Sequence, residues 1–169
     1  NDDKFAIKAR MFANHGSLVK HKHKIEGINS RLDGLQAAVL SVKLKYINTW
    51  TELRIKNAKL YTELLSPIQN VQTPKIHSNA KHVFHLYVIR CFNRDKLNRY
   101  LNANGVSTAI HYPCPLPLLK AYEYLKLDKN DFSVSKSYKN QILSLPMFPE
   151  LSRDDILYIT NLIKNFYNS

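Results

Sequence analysis

A chain of 169 residues, 44% hydrophobic and 11% aromatic, can bury one sizeable core, which excludes a disordered polypeptide. It holds no apolar run of the ~18 residues that a membrane helix needs, and Asn1-Asp2-Asp3-Lys4 lacks the basic-then-apolar order of a signal peptide. A soluble, cytoplasmic chain without a membrane partner is therefore expected. The net charge of +12 is carried by lysines scattered along the sequence, a distribution that argues against a dedicated nucleic-acid face. Such a charge fits an acidic partner, an anionic metabolite such as a nucleotide diphosphate, or simply a solvated lysine-rich surface. Cys91 and Cys114 form neither a metal-type pair nor a disulfide framework, so both are expected to be reduced.

In chain order, residues 3–15 place Phe5, Ala9, Phe12 and Ala13 at near-helical spacing between Asp2 and Asp3 as caps and Gly16 as a stop. Residues 17–28, with Lys20-His21-Lys22-His23-Lys24 at their centre, read as a basic loop shaped by contacts from outside it. Ser30-Arg31-Leu32-Asp33 resembles a capping box. Behind it Leu32, Leu35, Val39, Val42, Tyr46, Trp50 and Leu53 recur every three or four residues, and the pattern runs on to Leu65. One long helix over 31–66 is predicted, either kinked or spanning two domains, with the spanning form preferred.

Residues 83–91 are aromatic and β-branched and predict a strand; residues 94–104 predict a helix closed by Gly105; residues 106–112 predict a second strand. The three prolines in Pro113-Cys114-Pro115-Leu116-Pro117 enforce an ordered loop. A helix near 135–141, an extended 143–148 and a last helix over 153–166 capped by Ser152 complete an α+β pattern, a short sheet with helices packed on one side.

Seven histidines raise the question of a metal. His21 and His23 sit among lysines that oppose a cation, and His82 and His85, three apart on a predicted strand, point to opposite faces. No metal site is expected. The four glycines form neither a nucleophile elbow nor a phosphate-cradling loop, so a self-contained hydrolase or nucleotide-binding enzyme is not expected. Two segments offer ligand chemistry. Asn29 and Arg31 flank the predicted start of the long helix, where an anion gains from the dipole and from free N–H groups; ordinary capping by Ser30 with an exposed Arg31 explains the same residues. His111 and Tyr112 end a predicted strand before the proline-braced loop, either to meet a ligand or simply to pack.

At these residues the chain resembles a known family. Gly27-Ile28-Asn29-Ser30-Arg31-Leu32-Asp33-Gly34-Leu35-Gln36-Ala37-Ala38, then Trp50, Arg54 and Tyr61, is similar to the stretch after the catalytic core of DegT/StrS-type sugar aminotransferases. His85-Leu86-Tyr87-Val88, Gly105-Val106-Ser107-Thr108, His111-Tyr112-Pro113 and Leu143-Ser144-Leu145-Pro146-Met147 follow in family order. The resemblance implies a fold-type-I enzyme dependent on pyridoxal 5'-phosphate, usually a homodimer, that moves an amino group from glutamate to a keto group of a nucleotide-linked sugar. It implies that residues 1–30 are a remnant of the large cofactor-binding domain, 31–66 a connecting helix and 67–169 the C-terminal small domain. Asn29 is implied to bind the cofactor phosphate of the neighbouring subunit, with Arg31 nearby at the dimer contact or the anionic substrate; His111 and Tyr112, held by the proline-braced loop, are expected to face substrate. The family's Schiff-base lysine precedes the matching segment, so no lysine here is expected in that role and the chain is expected to be inactive alone. Pro117 departs from the histidine common at that point of the family loop. A basic polyanion-binding or nucleic-acid-binding module, and a sugar-binding paralogue without transamination, are the rival readings.

Overall fold

The computed structural model describes residues 1–128 and 130–168, which form two compact units, Asn1–Ile47 and Asn48–Ser169. The N-terminal unit opens with helix α1 (Asp3–Ala13), whose N-cap Asp2 accepts the Phe5 N–H at 3.0 Å. The residues read as a basic loop form a small antiparallel hairpin, β1 (Ser17–Val19) against β2 (Lys22–His23), turned through His21 at φ 65°. Its base is set from within the unit, because Gly16 N–H bonds Met11 O at 2.7 Å and Lys24 N–H bonds Gly16 O at 2.8 Å.

The single helix predicted over 31–66 is two helices, α2 (Gly34–Leu44) and α3 (Ile47–Leu65). Ser30 does not cap α2, because the helix starts only at Gly34; Asp33 takes the N-cap position, without a side-chain capping bond, while the Ser30 N–H bonds Ala13 O at 2.9 Å. At the other end Tyr46 N–H bonds Lys43 O at 3.0 Å, which tightens the last turn, and a new helix starts at Ile47. The compact units divide at Ile47, close to the break between the two helices.

The C-terminal unit is α+β, as expected. Its sheet runs β3 (Val71–Gln72), β4 (Tyr87–Cys91), β5 (Ile142–Leu145), all antiparallel. The register pairs Tyr87 with Leu145 and Ile89 with Leu143, so these four side chains share the core face, while Val88, Arg90, Ile142 and Ser144 share the other. Against the core face lie Ala58, Tyr61 and Leu65 of α3, Leu97 and Leu101 of α4 (Arg94–Ala103), and Ile156, Ile159 and Ile163 of α6 (Arg153–Asn168). The short helix α5 (Ser133–Tyr138) precedes β5.

Local chemistry sets the boundaries. Ser152 and Asp155 cap α6 reciprocally, with Asp155 N–H on Ser152 Oγ at 3.1 Å and Ser152 N–H on the Asp155 carboxylate at 3.3 Å. Gly105, at φ 77°, closes α4 in a Schellman arrangement, its N–H on Asn102 O and the Val106 N–H on Leu101 O. The strand expected from residue 83 begins only at Tyr87, because Phe84 is left-handed at φ 49° and its N–H turns back to His82 Nδ1 at 2.9 Å. His82 and His85 thus lie outside the strand on which their spacing was read. Residues 106–112 make a single bridge, Ala109 to Ser144, instead of a second full strand; Thr108 is drawn to α4 by the amides of Asn98 and Asn102.

The core carries a pH dependence. Burial pushes the Tyr87 hydroxyl up to about 12 and pushes the Cys91 thiol up to about 11. Burial, with the charges of Tyr87 and Asp155, holds Tyr61 above the ordinary tyrosine range. In the unfolded chain these groups lose their protons near 10 and 9, so the folded state binds more protons above that pH. Their stabilisation is complete below about pH 9 and fades through 9–11 for Cys91 and 10–12 for Tyr87. We expect the urea midpoint of the C-terminal unit to hold steady up to about pH 9 and then fall, with Tyr87→Phe flattening the upper part of the slope. A midpoint indifferent to pH throughout that range would contradict the burial argument.

Candidate functional site

Asn29 is carried by the root of the hairpin. There Ile28 N–H bonds Phe12 O at 2.7 Å, His15 N–H bonds Ile28 O at 2.9 Å, and Asn29 pairs with Asn14 in an isolated antiparallel bridge. Two glycines permit the crossing: a Cβ on Gly16 would stand 1.6 Å from Ile25 O, and one on Gly27 2.3 Å from Gly16 N. Asn29 and Arg31 are exposed, and neither side chain makes a hydrogen bond or ion pair among the described residues. The anion argument changes in one respect. Because α2 starts at Gly34, Asn29 lies five residues before it and runs beside the end of α1, so the helix dipole adds little and the side-chain amide is the donor that counts.

His111 and Tyr112 lie on the C-terminal unit. The half-buried His111 places Nδ1 2.8 Å from Oγ of Ser144, a residue only 4% exposed. Ser144 projects from the sheet face opposite the core, so His111 is fixed on that outer face. The Tyr112 ring meets the His111 ring edge-on at 5.4 Å and is itself 72% exposed; the peptide between the two residues is cis. Tyr112, with Pro115, Pro117, Tyr138 and Lys139, lines a mainly apolar groove of about 700 Å³. The structure therefore brings His111 and Tyr112 together on one braced loop, and Asn29 and Arg31 together on one extended segment.

Ser144, which orients His111, was missed by the sequence reading. The only signal for it is a polar residue interrupting the apolar run Ile142-Leu143-Ser144-Leu145. Arg54 was quoted only within a motif. Its Nη1 donates to Met147 O at 2.8 Å and lies 3.3 and 3.4 Å from the carbonyls of Phe84 and His85, tying α3 to the segments on either side of β4 and β5.

The sequence model of the DegT/DnrJ/EryC1/StrS aminotransferase family matches residues 1–164, and the chain belongs to that family. It is 41% identical over 169 residues to a "pleiotropic regulatory protein" of Geobacillus stearothermophilus, covering 99% of this chain and 45% of that one. It is 33% identical over 165 residues to a dTDP-3-amino-3,4,6-trideoxy-alpha-D-glucose transaminase of Streptomyces venezuelae, covering 98% of this chain and 44% of that one. The crystal structure of S. venezuelae DesV, solved with a ketimine intermediate, superposes with a TM-score of 0.92 at 33% identity, over 99% of this chain and 45% of that one. The chain thus spans rather less than half the length of the relatives it matches. The fold is that of part of a sugar aminotransferase, as the sequence motifs implied.

Proposed function

We propose that this chain is the C-terminal portion of a cytoplasmic, homodimeric aminotransferase that uses pyridoxal phosphate to move an amino group from glutamate to a keto group of a nucleotide-linked sugar. The supporting observation is the family match over residues 1–164, with relatives named as nucleotide-sugar transaminases. Residues 1–30 are the remnant of the cofactor-binding domain. Consistent with a missing cover, α2 buries none of its residues, although Leu35, Val39, Leu40, Val42 and Leu44 leave little of its circumference polar.

The residues present fit the cofactor. Pyridoxal phosphate, when bound, supplies the electron sink that the chemistry requires. Asn29, with its uncommitted amide on a pinned backbone, donates to the phosphate, and Arg31 offers a fork of donors to an anionic group of the substrate. Tyr112 presents a hydroxyl and a ring to the sugar. His111, held by Ser144, contributes a second polar group with little freedom to wander.

The isolated chain is expected to be inactive. Incubated with pyridoxal phosphate and reduced with borohydride, it should trap no stoichiometric lysine, whereas the full-length polypeptide containing it should aminate a nucleotide-linked keto sugar with glutamate as donor. A single, stoichiometrically trapped lysine in the isolated chain would overturn the partial reading; a full-length protein that holds the cofactor without transferring nitrogen would establish the non-catalytic paralogue. In the active enzyme, His111→Ala and Tyr112→Phe are each expected to lower kcat/KM by roughly tenfold or more while leaving the urea midpoint nearly unchanged. Lost folding with normal specific activity in the surviving protein would assign both residues to packing.

A further inference from the structure

Where β4 passes into α4 the surface holds an open cleft of about 770 Å³, whose walls carry Arg90, Arg94, Lys96 and Arg99 against one carboxylate, Asp95. That carboxylate is already engaged, 2.7 Å from Arg94 Nε. Arg94 is only 6% exposed, and its Nη1 and Nη2 donate to the carbonyls of Ile142 and Lys139 at 3.2 Å each, so it works as an internal tie. Arg90 bonds Gln72 and stacks 4.0 Å over the Tyr138 ring, contacts that orient its guanidinium without neutralising it. Lys96 and Arg99, one turn apart and exposed, have no carboxylate partner among the described residues. The side-chain amides of Asn70, Asn93 and Asn140 on the same walls make no hydrogen bond among the described residues. Uncompensated positive charge therefore stands beside unused amide donors.

The remaining wall is aromatic. Phe92 is 67% exposed, yet its main chain is held on both sides, its N–H on Asn70 O at 3.1 Å and its carbonyl taking the Tyr167 hydroxyl at 2.6 Å. A large ring presented to water from a fixed backbone is a stacking platform for a planar group.

We propose that this cleft binds a free nucleotide, the phosphate held by Lys96, Arg99 and the neighbouring amides and the base lying on Phe92. The site is next to the Tyr112 groove in sequence: Tyr138, Lys139 and Ile142 line the groove, and the adjoining Asn140 and Gln141 line the cleft. It is independent of the transaminase reading and stands or falls by itself.

Adenosine monophosphate, adenosine and inorganic phosphate are each titrated into the full 169-residue chain and followed by amide NMR. Adenosine monophosphate should saturate, with shifts concentrated at residues 92–96 and 140–141. The double variant Lys96→Gln/Arg99→Gln should bind it roughly tenfold or more weakly, while Phe92→Ala should weaken the nucleotide and leave phosphate unchanged. All three residues are exposed, and circular dichroism checks that the variants keep the fold. Nucleotide and phosphate binding alike, both indifferent to Phe92→Ala, would mean an adventitious ion only and overturn the proposal. It is equally overturned by absence of saturation, by unchanged affinity in the double variant, or by tighter binding of a single-stranded oligonucleotide with shifts spread over lysines outside the cleft.

Discussion

Tyr61→Ala is expected to destabilise the C-terminal unit by about 3–5 kcal/mol, the range for removing a fully buried aromatic ring. Tyr61 is 0% exposed, its ring stacks on Tyr87 at 5.0 Å and 22°, and its hydroxyl donates to Pro146 O at 3.1 Å. Its neighbour is engaged in turn. Thr62 spends its only hydroxyl proton on Ala58 O at 2.8 Å, so across the 2.8 Å contact between Tyr87 and Thr62 the tyrosine must donate. Removing the Tyr61 ring thus opens a cavity beside a hydrogen-bonded pair that joins α3 to β4. Tyr61→Phe, which keeps the ring and strands only the Pro146 carbonyl, should cost about 1 kcal/mol. Urea unfolding at neutral pH measures both; equal losses for the two variants would show that the stacked ring contributes nothing beyond its hydroxyl.

From the proposed phosphate contact, Asn29→Ala in the full-length polypeptide is expected to weaken cofactor binding about ten- to hundredfold, because a hydrogen bond to a charged acceptor contributes roughly 1.5–3 kcal/mol. The local structure makes this a clean substitution. The Asn29 backbone is fixed by its bridge to Asn14 and by the bonds of Ile28 and Ser30 to α1, and its side chain is exposed without a partner among the described residues. Truncation at Cβ therefore removes a donor and little else. Equilibrium dialysis of the cofactor gives the affinity, and a mixed dimer gives the direction of the contact. An Asn29→Ala protomer combined with one lacking the catalytic lysine gathers both defects into one site if the contact crosses the interface, leaving the other site intact and restoring activity. Unchanged cofactor affinity in the Asn29→Ala homodimer would remove the proposal.

Several elements were legible from sequence because their cause is local. The Asp2 cap, the Gly105 closure and the Ser152 start of α6 each depend on side chains within a few residues of the boundary, and all three stand where the sequence placed them. The aromatic and β-branched composition of residues 83–91 marked a strand, and the ordered motifs marked the family that the comparisons then showed. Failures arose where a distant group competed for the same backbone. Ser30 looked like a cap, but its backbone N–H bonds Ala13, seventeen residues earlier, so the segment runs along α1 and α2 starts only at Gly34. Residues 83–86 had the composition of a strand, yet Arg54 and the imidazole of His82 claim their polar groups first. Periodicity carried the helix through Tyr46, where the i to i−3 bond to Lys43 breaks it, since an apolar repeat reports which face is buried and not whether the ladder is continuous.

The candidate site divides in the same way. Residue type beside glycine and proline signals, together with the family resemblance, singles out Asn29, Arg31, His111 and Tyr112 as the proposed ligand-facing residues. What holds them did not. The Gly16–Gly27 crossing beneath Asn29 joins residues eleven apart, and the Ser144 clamp on His111 spans thirty-three. A hydrogen bond across such a separation leaves no periodic trace, because it depends on the sheet register that sets Ser144 on the outer face, and the tertiary packing of the core selects that register.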